Sequence, residues 1–210
     1  MIDAEGLEVM NQIREKGVKA ISVVCDLTKT EEVRRTAKEI RKIVNRVDIL
    51  VNNAGAYPPM RVMEVTEEHF DFVIGLNLKG LFFMTQSIVK EFMLPQKYGK
   101  IVNISSCDGK TPGCNVGIYS AAKAGVISLT KSFALELAGN DINSNAIAAG
   151  WVESKQVLSD DRWKDALSKI PSRRLGKLSE IAETAAFLCD DKVSYINGEI
   201  IDVNGGLIMD

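Results

Sequence analysis

Hydrophobic and polar positions follow two patterns along the chain, short continuous apolar runs and longer segments with helical spacing. The apolar runs are rich in Val and Ile, which is typical of parallel strands that are buried on both faces. These runs predict five strands, at residues 20–24, 47–52, 100–104, 145–149 and 199–203.

Helices are predicted between these strands, over about residues 31–45, 66–93, 119–138 and 179–188. Thr66 is a suitable N-cap for the longest of them. Strands that alternate with helices favour right-handed crossovers in one α/β domain over residues 1–210. The expected fold is a Rossmann-like doubly wound parallel sheet.

The segment 151–171 differs from the rest of the chain, because it is polar, has mixed periodicity and follows a predicted strand. In open α/β sheets, ligands bind beyond the C-terminal ends of the strands. The segment is therefore a candidate substrate lid. An ordinary surface helix and loop would give the same pattern.

Composition narrows the range of functions. The formal net charge is −2, and basic and acidic residues are interleaved, which indicates neither a nucleic acid nor an anionic membrane as partner. No apolar run in the sequence suggests a membrane span. The four cysteines form no C-x-x-C pair, which favours free thiols in a reducing cytosol. His69 is the only histidine, so we expect neither a metal site nor a Ser-His-Asp triad.

Tyr119 and Lys123 are the first candidates for chemistry. They lie at i and i+4 in a predicted helix, one turn apart on the same face. A free phenol has a pKa of about 10, and a nearby cation favours the phenolate. The pair could thus form a general acid and base. A surface contact is the alternative.

Ser105 and Ser106 directly follow the predicted strand 100–104, and Ser106 lies thirteen residues before Tyr119. The loop 109–117 can return the chain so that the two hydroxyl groups meet. Ser106 could then bind a carbonyl oxygen that Tyr119 protonates. A turn or a helix cap is the alternative role for Ser105 and Ser106.

Several segments resemble motifs of the short-chain dehydrogenase/reductase family, in that family's order and spacing. They are Asp48-Ile-Leu-Val-Asn-Asn-Ala-Gly55, Ser106, Tyr119-x-x-x-Lys123, Asn145-Ala-Ile-Ala-Ala-Gly150, Arg174-Leu-Gly and Asn204-Gly-Gly206. The resemblance implies a cytoplasmic, homo-oligomeric (dimeric or tetrameric) oxidoreductase. With NAD or NADP, it would interconvert a secondary alcohol and a ketone.

The resemblance also implies catalytic roles. Tyr119 would be the general acid in reduction and the general base in oxidation. Lys123 would lower the phenol pKa and hold the nicotinamide ribose, and Ser106 would orient the substrate oxygen. Asn77 matches an asparagine that supports a proton-relay water. Without the family, a helix asparagine facing solvent is the alternative.

Cofactor contacts follow from the same resemblance. Asp26 and Leu27 match contacts to adenine. Asn53 and the backbone of Ala54 and Gly55 would lie along the cofactor ribose. Tyr119 and Lys123 would also contact the cofactor, and Val152 matches a backbone contact to the nicotinamide amide.

The sequence departs from the family pattern at its start, where on the order of 35 residues, about one βαβ unit, would be missing. No G-x-G-x-x-G turn occurs in the chain. We therefore expect an N-terminally truncated sheet and weak cofactor binding. Either strands 20–24 and 47–52 pair directly, or two apolar edges stay open. Ala149, in place of the family's proline, should loosen the entry to the lid.

Two further hypotheses compete with an active enzyme. One is a catalytically impaired fragment or pseudoenzyme that serves as an assembly subunit, which would explain the lack of a phosphate-binding turn. The other is an unrelated small-molecule binding module. That hypothesis leaves the set of Asn77, Ser106, Tyr119 and Lys123 unexplained.

Overall fold

The structure is a computed structural model that describes residues 4–159 and 161–209. Its described strands form one parallel sheet in the order β1-β2-β3-β4. They are β1 (Ile49–Asn52), β2 (Gly99–Ser106), β3 (Ile142–Ala149) and β4 (Ile200–Val203). Four of the five predicted strands are thus confirmed, with β2 and β3 longer than expected.

The described helices fill the connections between the strands. They are α1 (Ala4–Glu15), α2 (Thr30–Ile43), α3 (Glu67–Gln96), α4 (Gly117–Leu137), α5 (Lys155–Leu158), α6 (Arg162–Leu167) and α7 (Leu178–Cys189). The four helices predicted from apolar spacing correspond to α2, α3, α4 and α7.

Successive side chains of the strands point to opposite faces of the sheet, and helices cover both faces. On one face, Ile101 of β2 is buried against Phe92 of α3. On the other face, Val102 of β2 packs with Leu188 of α7. Helices on both faces of a parallel sheet define the doubly wound arrangement. The predicted fold class is confirmed.

α3 begins where the sequence predicted it. The backbone N–H of His69 donates a hydrogen bond of 3.2 Å to the Thr66 hydroxyl, which caps the helix. The helix contains two π-helical segments, Gly75–Gly80 and Val89–Met93. Such segments are often found at functional sites, and the first of them carries Asn77.

α3 is also long and apolar enough to cross a membrane, judged by length and composition alone. Its sequence contains no unbroken apolar run of that length, because polar residues such as Asn77, Lys79 and Thr85 interrupt the pattern. Half of its most apolar window (50%) is buried inside the protein. A core helix that packs against a sheet has the same property.

The strand predicted at residues 20–24 is wrong, because residues 18–26 have neither strand nor helix geometry. A strand needs a hydrogen-bonded neighbour to be stable, and no described strand pairs with this segment. β1 is consequently an edge of the sheet. Its apolar side chains Ile49 and Val51 remain 47% and 44% exposed.

A buried polar chain ties the central strands to the helices above them. The Asn52 amide of β1 donates hydrogen bonds of 2.8 Å to Thr85 of α3 and to Asn103 of β2. Asn103 in turn donates a bond of 2.9 Å to Thr130 of α4. Because each of these side chains has a hydrogen-bond partner, together they fix the position of α3 and α4 over the sheet.

Candidate active site

The chain turns back sharply after β2. The strand ends at Ser106, a 3₁₀ turn spans Cys107–Gly109, and α4 begins at Gly117. The turn packs directly on α4, since a Cβ added at Gly109 would lie 2.9 Å from the carbonyl oxygen of Lys123. Only glycine allows this approach.

A cavity of about 620 Å³ lies at this end of the sheet. Ser106, Tyr119 and Lys123 all line it, so the structure brings three of the four predicted catalytic residues together. The opposite wall is apolar and is formed by β1 and α7, through Ile49, Val51, Ile181, Ala182, Ala185 and Ala186. A pocket with one apolar wall and a few convergent polar groups is typical of a small-molecule site.

Lys123 is buried, with 3% of its surface exposed. Its Nζ donates a hydrogen bond of 2.6 Å to the carbonyl oxygen of Ile104 and lies 5.5 Å from the centroid of the Tyr119 ring. Burial lowers the pKa of Lys123 to about 8. The amine therefore points into the protein beside Tyr119 and not into bulk water.

Burial raises the pKa of the Tyr119 phenol above its usual value, while hydrogen bonding with Ser106 acts in the opposite direction. This net direction differs from the lowered phenol pKa that the family resemblance implied. The physical reason is desolvation, which penalises the phenolate. Desolvation also lowers the pKa of Lys123, so a smaller fraction of its amine carries the charge that would favour the phenolate. At neutral pH Tyr119 holds its proton, as a proton donor must.

Asn77 is 1% exposed, so it does not face solvent. Its Nδ2 donates hydrogen bonds of 2.8 Å to the carbonyl oxygen of Ala56 and 2.9 Å to that of Val73. Its Oδ1 accepts a bond of 3.2 Å from the Ala56 N–H. In this arrangement Asn77 anchors the loop after β1 to the π-helical segment of α3.

Other kinds of chemistry find little support at this site. Burial raises the pKa of the Cys107 thiol to about 11, which keeps it protonated and poorly nucleophilic. Within the described ranges, no group of three or more His, Cys, Asp or Glu side chains could hold a metal ion. Acid–base chemistry at Tyr119 fits the geometry better.

Comparison with known proteins agrees with this geometry. A short-chain dehydrogenase/reductase model described as "Enoyl-(Acyl carrier protein) reductase" matches residues 1–208. The chain belongs to the short-chain dehydrogenase/reductase family. It is therefore a member of an oxidoreductase family.

Bacterial relatives of this short-chain dehydrogenase/reductase share about two fifths of its residues. The "3-oxoacyl-[acyl-carrier-protein] reductase FabG" of Staphylococcus epidermidis is 41% identical over 203 residues, which cover 96% of this chain and 83% of the relative. The protein of the same name from Thermotoga maritima is 39% identical over 188 residues, covering 89% and 76% of the two chains.

Solved structures of this family superpose closely. The "Crystal Structure of NAD+-Bound Xylitol Dehydrogenase" matches with a TM-score of 0.88 and 30% identity, covering 97% of this chain and 86% of that one. The "Crystal structure of gox2181" matches with a TM-score of 0.92 and 30% identity, covering 98% and 82%.

Part of the predicted cofactor set of this short-chain dehydrogenase/reductase lines the cavity. Asn53, Gly55 and Val152 do so together with Tyr119 and Lys123. A Cβ added at Gly55 would lie 2.8 Å from Asn77 Oδ1 and 3.5 Å from Lys123 Nζ. The lack of a side chain at Gly55 keeps a space open beside the lysine, as close approach of a ribose would require.

The remaining predicted contacts lie elsewhere. Ala54, Asp26 and Leu27 are not part of the cavity lining. The Asp26 carboxylate accepts hydrogen bonds of 3.0 Å and 2.6 Å from the backbone and hydroxyl groups of Thr28. It also pairs with Lys29 at 3.2 Å, and these contacts hold the pKa of Asp26 below its usual value. The carboxylate shapes the turn before α2.

The segment 151–171 contributes to the cavity through Val152, Ser154 and Val157. Val157 and Ile170 of the segment belong to a small apolar cluster, in which they are buried together with Leu175. α5 and α6 lie within this segment. The segment thus forms part of the cavity wall, and its role as a lid stays a prediction.

Two contacts at the site were not predicted from the sequence. The Ser105 hydroxyl donates a hydrogen bond of 3.0 Å to the carbonyl oxygen of Lys123. The Tyr57 ring lies 5.5 Å from the Tyr119 ring, centroid to centroid. The Ser105-Ser106 pair at a strand end could have suggested the first contact. No local signal indicates the second, because it joins distant parts of the chain.

Proposed function

We propose that this chain is an NAD(P)-dependent reductase that converts a ketone to a secondary alcohol and catalyses the reverse oxidation. The observation that carries the proposal is the convergence of Ser106, Tyr119 and Lys123 on one cavity. A buried amine beside a buried phenol, next to a serine hydroxyl, is suited to proton exchange with an alcohol oxygen.

In the proposed reduction, Ser106 donates a hydrogen bond to the carbonyl oxygen of the substrate and Tyr119 gives that oxygen its proton. The raised pKa of Tyr119 keeps this proton in place at neutral pH. Because the oxidation needs the phenolate instead, we expect reduction to be the faster direction near neutral pH.

The residues that line the cavity fit the nicotinamide half of the cofactor. Lys123 and Asn53 would hold its ribose, and the backbone of Val152 would bind its amide, beside the open space at Gly55. When bound, this cofactor supplies the hydride. The protein contributes the position and the proton.

For the substrate, we propose a 3-oxoacyl thioester as the first class to test, because the relatives of 39–41% identity are named as reductases of that class. The apolar wall around Ile181 and Ala185 can accept an acyl chain. We further propose that the protein is cytoplasmic and that it forms a homo-oligomer. Light scattering of the purified chain would test the oligomeric state. The free state of all four cysteines is compatible with a reducing compartment.

The decisive experiment compares two tyrosine variants in an assay of reduced-cofactor consumption. Tyr119→Phe should lower kcat by at least about a hundredfold, the usual contribution of a general acid. Tyr195→Phe is the matched control, because Tyr195 is fully exposed. Near-normal turnover by Tyr119→Phe would refute the proposed role.

Titration with NADH and NADPH tests the competing hypothesis of an impaired assembly subunit. Weak but measurable binding with turnover supports the reductase. Complete lack of binding and turnover, in a chain that still folds, would favour the assembly subunit. Micromolar affinity for either cofactor would contradict the weak binding expected from the sequence.

A further inference from the structure

Tyr57 lies in the loop after β1 and lines the same cavity as Tyr119. Its ring meets the Tyr119 ring at 5.5 Å between centroids, with an angle of 55° between the planes. A tilted contact at this distance is a favourable arrangement of two aromatic rings. It restrains the ring that carries the reactive hydroxyl group.

Tyr57 also contacts the candidate lid, the segment 151–171. The guanidinium carbon of Arg162, the first residue of α6, lies 5.6 Å from the centroid of the Tyr57 ring. Tyr57 also packs on the apolar cluster formed by Val157, Ile170 and Leu175. One aromatic ring thus contacts the 151–171 segment and Tyr119 at the same time.

A second link connects the same lid residue to the serine side of the site. The positive charge of Arg162 lowers the pKa of Asp108, which burial otherwise raises. The Asp108 N–H donates a hydrogen bond of 3.1 Å to the Ser106 hydroxyl. The charge of Arg162 is therefore felt at Asp108, in the turn after Ser106, in addition to its direct contact with the Tyr57 ring.

We propose that Tyr57 is a positioning residue that couples the 151–171 segment to Tyr119, holding the phenol in its reactive orientation when the segment lies over the cavity. The inference rests on the proposed reductase function. Through Tyr57, a ligand bound beside the 151–171 segment would affect the orientation of Tyr119, the proton donor. A small misplacement of a reacting group is sufficient to slow a reaction strongly.

The test measures kcat and KM for the ketone substrate in four variants. Tyr57→Leu and Arg162→Met should each lower kcat, Tyr57→Leu by about tenfold, with little change in KM, because orientation and not binding is lost. Tyr57→Phe should restore most of kcat, since it keeps the ring. Lys164→Met is the matched control, because Lys164 also lies over an aromatic ring of α6, that of Trp163 at 5.8 Å.

The double variant of Tyr57→Leu with Arg162→Met isolates the coupling. Its loss of kcat should be clearly smaller than the product of the two single losses, because both substitutions break the same link. Tryptophan fluorescence provides a reading that does not depend on activity. Both tryptophans of the chain, Trp151 and Trp163, pack on the apolar cluster of Val157, Ile170 and Leu175, as Tyr57 does. Tyr57→Leu should therefore shift their emission.

The outcomes separate this inference from the proposed function. A wild-type chain without reductase activity overturns both. An active wild type with unchanged kcat in Tyr57→Leu, or with a change in KM alone, overturns the positioning role and leaves the reductase assignment intact. Multiplicative losses in the double variant would likewise contradict the coupling.

Discussion

The Ser105 hydroxyl donates a hydrogen bond of 3.0 Å to the carbonyl oxygen of Lys123. The Lys123 amine returns a bond of 2.6 Å to the carbonyl oxygen of Ile104, the residue before Ser105. Two hydrogen bonds, one donated from each element, thus join β2 to α4 at Lys123, beside Tyr119. The position of the amine depends on this reciprocal pair.

Substitution of Ser105 by alanine should weaken this junction. We expect the free energy of unfolding to fall by about 1 kcal/mol, the usual net value of such a bond. We expect kcat to fall severalfold, because the helix turn that carries Lys123 is less firmly held. Urea unfolding and steady-state kinetics measure the two effects.

Ser132→Ala is the control for this substitution. Ser132 makes a similar bond of 3.2 Å to the carbonyl oxygen of Ser128, on the exposed side of α4. Its loss should leave both stability and kcat nearly unchanged. Equal effects of the two alanine variants would show that the Ser105 bond has no special role.

Burial of Lys123 should make stability depend on pH. Its pKa falls from 10.5 in the unfolded chain to about 8 in the folded state, so between these values the unfolded chain binds more protons. The free energy of unfolding contributed by this group therefore rises with pH, by on the order of 2 kcal/mol between about pH 7.5 and 10. Denaturant unfolding over this range measures the slope.

Lys123→Met should abolish that rise and also remove activity. Lys131→Met, at an exposed lysine of the same helix, should keep the wild-type slope. The comparison stays below about pH 10, because the raised pKa of Tyr119 lowers stability above the usual phenol pKa. A Lys123→Met chain with the wild-type slope would disprove the assignment of the shift to Lys123.

Gly55→Ala should obstruct the space beside Lys123. The new Cβ would lie 2.8 Å from Asn77 Oδ1, so the loop after β1 or the Asn77 side chain must shift. We expect weaker cofactor binding by calorimetry and a loss of stability of about 1–3 kcal/mol, as is usual for overpacking. Gly139→Ala is the control, because a Cβ added there would meet no atom of a more distant residue within 4 Å. Unaltered binding in the Gly55 variant would mean that this space is not used.

Asn77→Ala should release the loop after β1 from α3. The substitution leaves the N–H and carbonyl groups of Ala56 without their amide partner. We expect a loss of about 2 kcal/mol in the free energy of unfolding, since these groups are partly buried. Asn11→Ala, at an exposed asparagine in α1, should be nearly neutral. Activity loss without a stability loss would instead favour the relay role.

The elements that the sequence predicted well depend on local patterns. The apolar runs of β2 and β3 and the helical spacing of α3 and α4 are properties of neighbouring residues. The Tyr119 and Lys123 pair could be predicted for the same reason, because residues i and i+4 share a helix face wherever the helix lies. The failure at residues 20–24 has the opposite cause: an apolar run becomes a strand only beside another strand.

The contacts that define the site depend on distant residues. Ile49 of β1 and Ile181 of α7 form its apolar wall, although they are far apart in the chain. The direction of the Tyr119 pKa was also missed, because desolvation depends on everything that surrounds the ring.

The sequence alone determined that this chain alternates strands with helices and carries Ser106, Tyr119 and Lys123 at the spacing of its family. Only the tertiary structure decided that Asn77 anchors a loop, that Lys123 is buried, and that Tyr57 joins the lid segment to Tyr119. The reason is physical: periodicity follows from covalent neighbours, whereas burial and side-chain contacts exist only after the chain has packed.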